Sequence, residues 1–418
     1  MAGNRKVVIV GGGFGGLYAA KALSNKPVDV TLIDKKNHHT FQPLLYQVAS
    51  SVISPSQIAI PLRHILRKGR NVEVLLGEVA GIDLVGREVV LGADVRIPYD
   101  YLILAAGSRH SYFGHDEWEQ DAPGLKTLED AIDMRRRILL AFEQAERQQF
   151  LTGTHDPVNF AIVGGGPTGV ELAGAVADIA KTVVAKDYKL IDTRASRVML
   201  LEGASSILGM YPRELQQKAT KQLEELGVEV RTGSLVTDVT ADRIKVGDEW
   251  IPIRVTLWAT GVAASPLGKQ TGGEIDRAGR VKVAPDLSVP GHSEILVVGD
   301  MAALSDVHGV AVPGLASAAT QMGPFAARNI LREIAGQPRE KFAYKDKGTM
   351  ATIGKNRAIA LIGKVQFSGF VAWLAWGLVH LILLIGFRNR FFVMWEWAWT
   401  YVTGQRSARL ITGPVPES

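Results

Sequence analysis

Gly11-Gly12-Gly13-Phe14-Gly15-Gly16 follows the apolar run Val7-Val8-Ile9-Val10 and opens a helix-forming segment, Leu17 to Leu23. The same order returns at Gly164-Gly165-Gly166-Pro167-Thr168-Gly169, after Phe160-Ala161-Ile162-Val163 and before Val170 to Ala180. A lone GxGxxG says little. Strand, fingerprint and helix in that order, twice, predict two dinucleotide-binding βαβ units. The glycines permit a tight turn, close backbone approach to a pyrophosphate and close helix–strand packing. Each helix N-terminus then offers free N–H groups and a positive dipole end to phosphates. Two tight turns without ligands are the alternative, and the repetition weighs against it.

The acid closing the second strand of each unit indicates which dinucleotide it holds. Val28-Asp29-Val30-Thr31-Leu32-Ile33-Asp34 ends in a carboxylate at the expected spacing, and Asp34 is placed to accept from a ribose hydroxyl. Arg197-Val198-Met199-Leu200-Leu201-Glu202 ends likewise in Glu202, with Lys181 to Ser196 inserted ahead of it. A carboxylate there repels a 2′-phosphate, so NADH is expected rather than NADPH.

Farther along, Ile295-Leu296-Val297-Val298-Gly299-Asp300 reads as a buried strand ending in Gly-Asp. Tyr101 to Leu104, closed by Ala105-Ala106-Gly107, and Val255 to Trp258, closed by Ala259-Thr260-Gly261, also end in small residues. In these features the first 335 residues or so resemble the FAD/NAD-linked two-dinucleotide reductases. The resemblance implies FAD at the first fingerprint, with Asp300 accepting from ribitol hydroxyls and Val79 meeting the adenine through its backbone. It also implies an α/β fold of two Rossmann-like dinucleotide-binding domains, the NAD domain inserted in the FAD domain. The expected order is 1–112 first FAD half, 113–157 connecting helical segment, 158–262 NADH domain, 263–335 second FAD half, and a C-terminal region 336–418.

Composition narrows the chemistry. The chain has 418 residues, a net charge of +5 and no cysteine. Without cysteine there is no redox dithiol, no thiolate metal site and no Fe–S ligation. No metal site is expected. Where disulfide reductases carry their redox pair, this chain reads Lys35-Lys36-Asn37-His38-His39-Thr40-Phe41-Gln42-Pro43-Leu44-Leu45-Tyr46-Gln47, so electrons must leave to a diffusible acceptor. Adjacent histidines on an extended segment point to opposite sides, which disfavours a shared metal. The mild charge lacks an aromatic-interleaved basic patch and gives no reason to expect nucleic acid. Neither a secretory nor a mitochondrial leader is expected.

Gly369 to Phe387 contains no Asp, Glu, Lys or Arg, and five of the eight tryptophans (373, 376, 395, 397 and 399) lie here or just beyond. That run approaches the ~20 residues that span a bilayer. Its glycines, His380 and the Trp/Arg mixture fit better with helices lying in the interface. A peripheral anchor is therefore expected in preference to a single span.

The whole chain resembles the bacterial type II NADH dehydrogenases, which are single-subunit, non-pumping NADH:quinone oxidoreductases. The resemblance rests on Val7–Gly16, His38–Ala49, Gly164–Glu171, Trp258–Val262, Gly299–Asp300, Gly348–Gly354 and the Trp-rich tail. It implies non-covalent FAD held by Gly11, Gly12, Gly13, Phe14, Gly15, Gly16, Asp34, Lys35, His38, Gln42, Pro43, Val79, Ala106, Gly107, Gly299, Asp300 and Ala316. NADH is expected on Gly164, Gly166, Pro167, Thr168, Gly169, Glu171, Glu202, Thr260 and Gly261. Gln47, Gln321 and Met322 are the candidate quinone contacts. Ser317 stands where some members carry a glutamine, so of that pair only Gln321 carries over. Glu171, in the first helical turn, and Gln321 are the candidate catalytic residues. Burial would raise the pKa of Glu171 toward that of a proton carrier. The expected partners are a membrane quinone and the lipid bilayer at the cytoplasmic face of the bacterial inner membrane, with homodimerisation through the tail common in the family. A soluble acceptor of the rubredoxin or ferredoxin type is the alternative, against which the apolar tail argues.

Overall fold

The computed structural model describes residues 4–92, 95–406 and 408–413. Two compact units share the chain: Met1–Thr40, Ala59–Arg109 and Val262–Lys347 form one, and Phe41–Ile58, His110–Gly261 and Gly348–Ser418 form the other.

The first unit is built on a six-stranded sheet in the order Ser288–Val289, His292–Val297, Tyr101–Leu104, Arg5–Val10, Val28–Asp34, Val72–Leu76. Its pairings are parallel apart from the short Ser288–Val289 edge. Val7 to Val10 are all buried, as expected for a strand covered on both faces. Val10 lies level with Ile33 on one side and Leu104 on the other, so these strands end along one edge. Helix Phe14–Leu23 packs against helix Ala316–Ile334, and a Cβ on Gly323 would come within 2.1 Å of the Gly15 carbonyl oxygen. Two segments far apart in the sequence thus share one packed layer.

The second unit repeats the theme with four parallel strands in the order Val228–Arg231, Val198–Leu201, Phe160–Val163, Val255–Trp258. The insertion before Glu202 is absorbed by a π-helical turn, Ile179–Val183, and a short 3-10 turn, Thr193–Ala195, ahead of the strand. Val163 therefore still pairs with Leu201 in register. The segment Phe41–Ile58 belongs here because helix Leu45–Ala49 packs on helices Leu128–Thr152 and Pro167–Asp178. Arg406, with 4% of its side chain exposed, donates to the Ser50 carbonyl at 2.6 Å and pairs with Asp178. Replacing Arg406 with Met strands the Asp178 carboxylate. Because the Asp178 side chain is 32% exposed and stays partly solvated, that should cost about 1–3 kcal/mol, seen as a lower thermal unfolding midpoint.

In the tail, the antiparallel strands Thr349–Gly354, Arg357–Ile362 and Val365–Ser368 carry helix Phe370–Leu383, with Ala358, Ala360 and Ala372 buried between them. The apolar run 369–387 is not one helix. It breaks after Leu383, and Phe387–Thr403 starts anew beyond Gly386, whose φ is +89°. No described helix is long and apolar enough to cross a membrane. Leu374, Leu378 and Ile382 are each 58–59% exposed at helical spacing, and Trp395, Trp399 and Val402 are exposed on the second helix.

Candidate functional site

Each fingerprint folds into the same cradle. In the first unit, a Cβ on Gly16 would sit 1.8 Å from the Gly11 carbonyl oxygen, so only glycine lets the helix start this close to the strand end. Gly13, by contrast, has nothing within 4 Å of an added Cβ and caps helix Phe14–Leu23 without a side-chain bond. The first amides of that helix are left for an acceptor. Asp34 Oδ2 accepts from the Gly12 amide at 2.5 Å, and Oδ1 accepts from Lys36 at 2.7 Å.

The second unit copies this arrangement. A Cβ on Gly169 would lie 1.8 Å from the Gly164 carbonyl oxygen, and Gly166 faces open space as the helix cap, with Pro167 following. Glu202 Oε2 accepts from the Gly165 amide at 2.6 Å, and Oε1 accepts from Ala204 at 2.7 Å. The acid is 37 residues from its glycine here and 22 in the first cradle, yet it makes the same bond. Thr260 and Gly261 close this unit's fourth strand, Thr260 lying against Gly164.

Gly107 and Asp300 follow neighbouring strands of the six-stranded sheet. Ser108 donates to Asp300 Oδ2 at 2.7 Å, and Gly314 lies beside Oδ1. Gly107 follows its strand with φ +69°, and Ala316 is the first residue of an uncapped helix. Val79 opens the strand Val79–Asp83, and Lys35 forms an exposed ion pair with Glu78 at 3.7 Å. Of the two histidines, His39 is the buried one. Its Nδ1 meets the Gly12 carbonyl at 3.0 Å, its ring stands edge-on to Phe14, and desolvation depresses its pKa to about 4. The ring is therefore neutral at pH 7, with Nδ1 donating and a buried Nε2 lacking a partner. His38 is half-buried and meets Asn37. A glycine-lined cradle, an uncapped helix start, two acids and an orphaned buried ring nitrogen suit a flavin dinucleotide. Gln42 and Pro43, grouped with these by sequence, lie in the second unit, where Gln42 donates to the Lys126 carbonyl at 3.3 Å.

Gln321 donates to the Ser317 and Lys345 carbonyls at 2.8 and 3.0 Å and accepts from the Lys345 amide. Ser317 bonds the Tyr344 hydroxyl at 3.0 Å, and Met322 is buried. These contacts fasten the 344–345 segment to helix Ala316–Ile334.

Glu171 sits in the first turns of helix Pro167–Asp178. A Cβ on Gly174, three residues on, would lie 1.8 Å from the Ile353 carbonyl, so the helix rides directly on strand Thr349–Gly354. That contact sets the Glu171 carboxyl against Thr352. The residue as a whole is half-buried, but desolvation pushes its carboxyl up to about 8, and a backbone hydrogen bond from Thr352 offsets this only in part. Glu171 is thus protonated at neutral pH and able to give up a proton.

An aromatic cluster that sequence reasoning missed lies in the same unit. Trp376 stacks on His380 at 4.4 Å and meets Tyr46 at 6.3 Å and Trp397 at 5.5 Å between ring centroids. Its indole Nε1 is buried without a partner. Gln47 is 6% exposed and engaged at both ends: Oε1 accepts from Trp397 at 2.7 Å and Nε2 donates to the Tyr46 hydroxyl at 2.9 Å. The tryptophans were legible as interface rings, but their inward contacts depend on helix phase. A separate cavity of about 610 Å³, lined by Glu143, Tyr188, Trp399 and Arg409 among others, shares no residue with either cradle.

Comparison with known proteins agrees with this geometry. The pyridine nucleotide-disulphide oxidoreductase family matches residues 5–323, and the NDH2 C-terminal domain family matches residues 347–406. A type II NADH:quinone oxidoreductase, Ndh, of Mycobacterium tuberculosis is 46% identical, over 97% of this chain and 90% of that protein. A type II NADH:quinone oxidoreductase of Haemophilus influenzae is 31% identical, over 85% and 86%. The solved structure of NDH2 from Plasmodium falciparum in complex with NADH superposes with a TM-score of 0.88 at 20% identity, over 98% of this chain and all of that one.

Proposed function

The chain belongs to the type II NADH:quinone oxidoreductases of the pyridine nucleotide-disulphide oxidoreductase family and is an NADH dehydrogenase; we propose that it uses non-covalent FAD to reduce a membrane quinone to quinol without pumping protons. The observation that carries this reading is the doubled cradle, in which an acid at each strand end accepts from the second glycine amide of its own fingerprint. With no cysteine in the chain, two bound dinucleotides leave the flavin as the electron carrier.

Gly11 to Gly16, Asp34 and Asp300 would hold FAD, with the free amides at the start of helix Phe14–Leu23 on its pyrophosphate. FAD held there would supply the redox chemistry, the capacity to accept hydride from NADH and to transfer two electrons to quinone. Gly164 to Gly169 would bind the NADH pyrophosphate. Glu202 would accept from the adenosine ribose and repel a 2′-phosphate. The overall balance is NADH plus quinone plus one proton, giving NAD⁺ and quinol. Glu171, protonated at neutral pH, is the group that would deliver a proton toward quinone oxygen. The unpartnered Trp376 N–H is a donor of the kind a quinone carbonyl accepts.

The exposed Leu374–Leu378–Ile382 stripe and the rings beside it would lie in the bilayer interface, with the protein peripheral on the cytoplasmic face of the bacterial inner membrane. Each such side chain is worth roughly 1.5–3 kcal/mol when buried. The triple change Leu374→Asp, Leu378→Asp, Ile382→Asp should therefore weaken co-flotation with lipid vesicles at least tenfold, roughly. Wild-type protein that stays out of the lipid fraction would contradict the anchor. The cofactor is tested by releasing the chromophore with acid and chromatographing it. FAD at about one per chain is expected, and FMN or no flavin would refute the assignment.

A further inference from the structure

Gln47 is a buried amide whose two ends reach different elements. Its Oε1 takes the indole N–H of Trp397 on helix Phe387–Thr403, and its Nε2 gives to the hydroxyl of Tyr46 on helix Leu45–Ala49. A side-chain amide can satisfy both bonds in only one of its two flip states, so the Trp397 donor fixes which end faces Tyr46. Tyr46, itself buried, must then accept at its oxygen and aim its proton elsewhere. Its hydroxyl lies beside the side chain of Thr352, whose own hydroxyl donates to the Arg357 carbonyl at 3.3 Å, and the Gly174–Ile353 approach brings the Thr352 backbone alongside the Glu171 carboxyl. Thr352 is therefore the joint between the amide pair and the carboxyl.

We propose that Gln47 is a positioning residue for quinone reduction: held by Trp397 of the tail, it orients the Tyr46 hydroxyl and, through Thr352, sets the proton affinity of Glu171. This rests on the quinone reading of Glu171 given above. It also accounts for Gln47, expected from the sequence as a quinone contact, having no polar end left over. Among the described residues, few ionisable groups are set toward Glu171. Tyr46 faces it from helix Leu45–Ala49 and Tyr211 from ahead of helix Arg213–Glu225, with burial pushing both phenols up, so each is neutral. Arg406, paired with Asp178, bears on Tyr46.

Removing the Tyr46 hydroxyl, or the amide that holds it, takes a dipole and a strand anchor from beside Glu171. Both losses disfavour the carboxylate, so its pKa rises. The test titrates the Glu171 carboxyl stretch by infrared difference spectroscopy, with Glu171→Gln as the assignment control, in Tyr46→Phe, Gln47→Leu and Trp397→Phe proteins. We expect an upward shift of roughly half a pH unit or more in each, the worth of about one hydrogen bond. In the Tyr46→Phe/Gln47→Leu double variant the shift should be no larger than in the bigger single, because the two act as one unit. In Thr352→Val the shift should appear, and in Thr352→Ser, which keeps the hydroxyl, it should vanish. Unmoved midpoints in all three single variants, or shifts that simply add, would overturn the proposal. Because the titration needs no turnover, a wild-type protein without quinone activity but with these shifts would defeat the functional reading and leave the clamp standing.

Discussion

Gly16→Ala protein should purify without flavin, while Gly169→Ala protein should keep its flavin and fail to have it reduced by NADH at ordinary concentrations. In both variants the new methyl would be forced against backbone, at 1.8 Å from the Gly11 or Gly164 carbonyl oxygen. No rotamer relieves a backbone clash, so the helix start must move off its strand. Overpacking of this kind costs typically 1–3 kcal/mol. Here that strain falls on the surface that meets the pyrophosphate, which converts to a loss of up to roughly 100-fold in nucleotide affinity. The two variants act in separate sheets, so they separate the two cradles functionally. Flavin content by absorbance and NADH affinity by titration read the outcome. A Gly169→Ala protein with wild-type NADH affinity would show that the second cradle is a bare structural turn.

Glu171→Gln should lower steady-state NADH:quinone turnover by about 10²-fold or more, the usual contribution of a positioned proton donor. Its flavin content should be unchanged. The pH dependence follows from the raised pKa of about 8. Glu171 is protonated below that value and loses its proton above it, so quinone turnover in the native protein should fall as pH rises through about 8. In the Gln variant that limb should be absent. The same shift carries a stability consequence. Between the ordinary carboxylate pKa and about 8 the folded chain binds more protons than the unfolded one, so this group's contribution to stability declines as pH rises through that window. Glu171→Gln should therefore melt higher relative to wild type at pH 8 than at pH 5. Equal turnover in the two proteins, with the alkaline limb retained in the variant, would remove Glu171 from the proton path.

The two parallel sheets were legible because their signals are local. Val7 to Val10 and Phe160 to Val163 are short apolar runs closed by glycines, and both became buried central strands at the predicted places. Glu202 could be assigned in spite of its longer spacing because an acid closing a strand is a local signal too, and the insertion folded aside without breaking register. The tail was legible as apolar and Trp-rich, and its glycines weighed against one long span, but the position of the bend after Leu383 was not legible, since Gly377 in the same run stays helical while Gly386 does not. The clamp around Gln47 was the least readable part. Its partner Trp397 lies 350 residues away, and whether a tryptophan on that helix turns inward is decided by tertiary packing. His39 was visible as one of a pair, and only the alternation of the strand, once placed beside Gly12, makes it the buried member. Gln321 bonds the Lys345 backbone 24 residues on, a contact that its motif does not announce.

The most direct test is a sequential stopped-flow experiment on the purified full chain in detergent, mixing first with NADH and then with a short-chain quinone while following flavin absorbance. The expected result is rapid bleaching of the flavin band by NADH and rapid recovery on quinone, with the recovery slowed in Glu171→Gln. Bleaching that quinone does not reverse, or no flavin band to bleach, would contradict the assignment of this chain as an FAD-dependent NADH:quinone oxidoreductase.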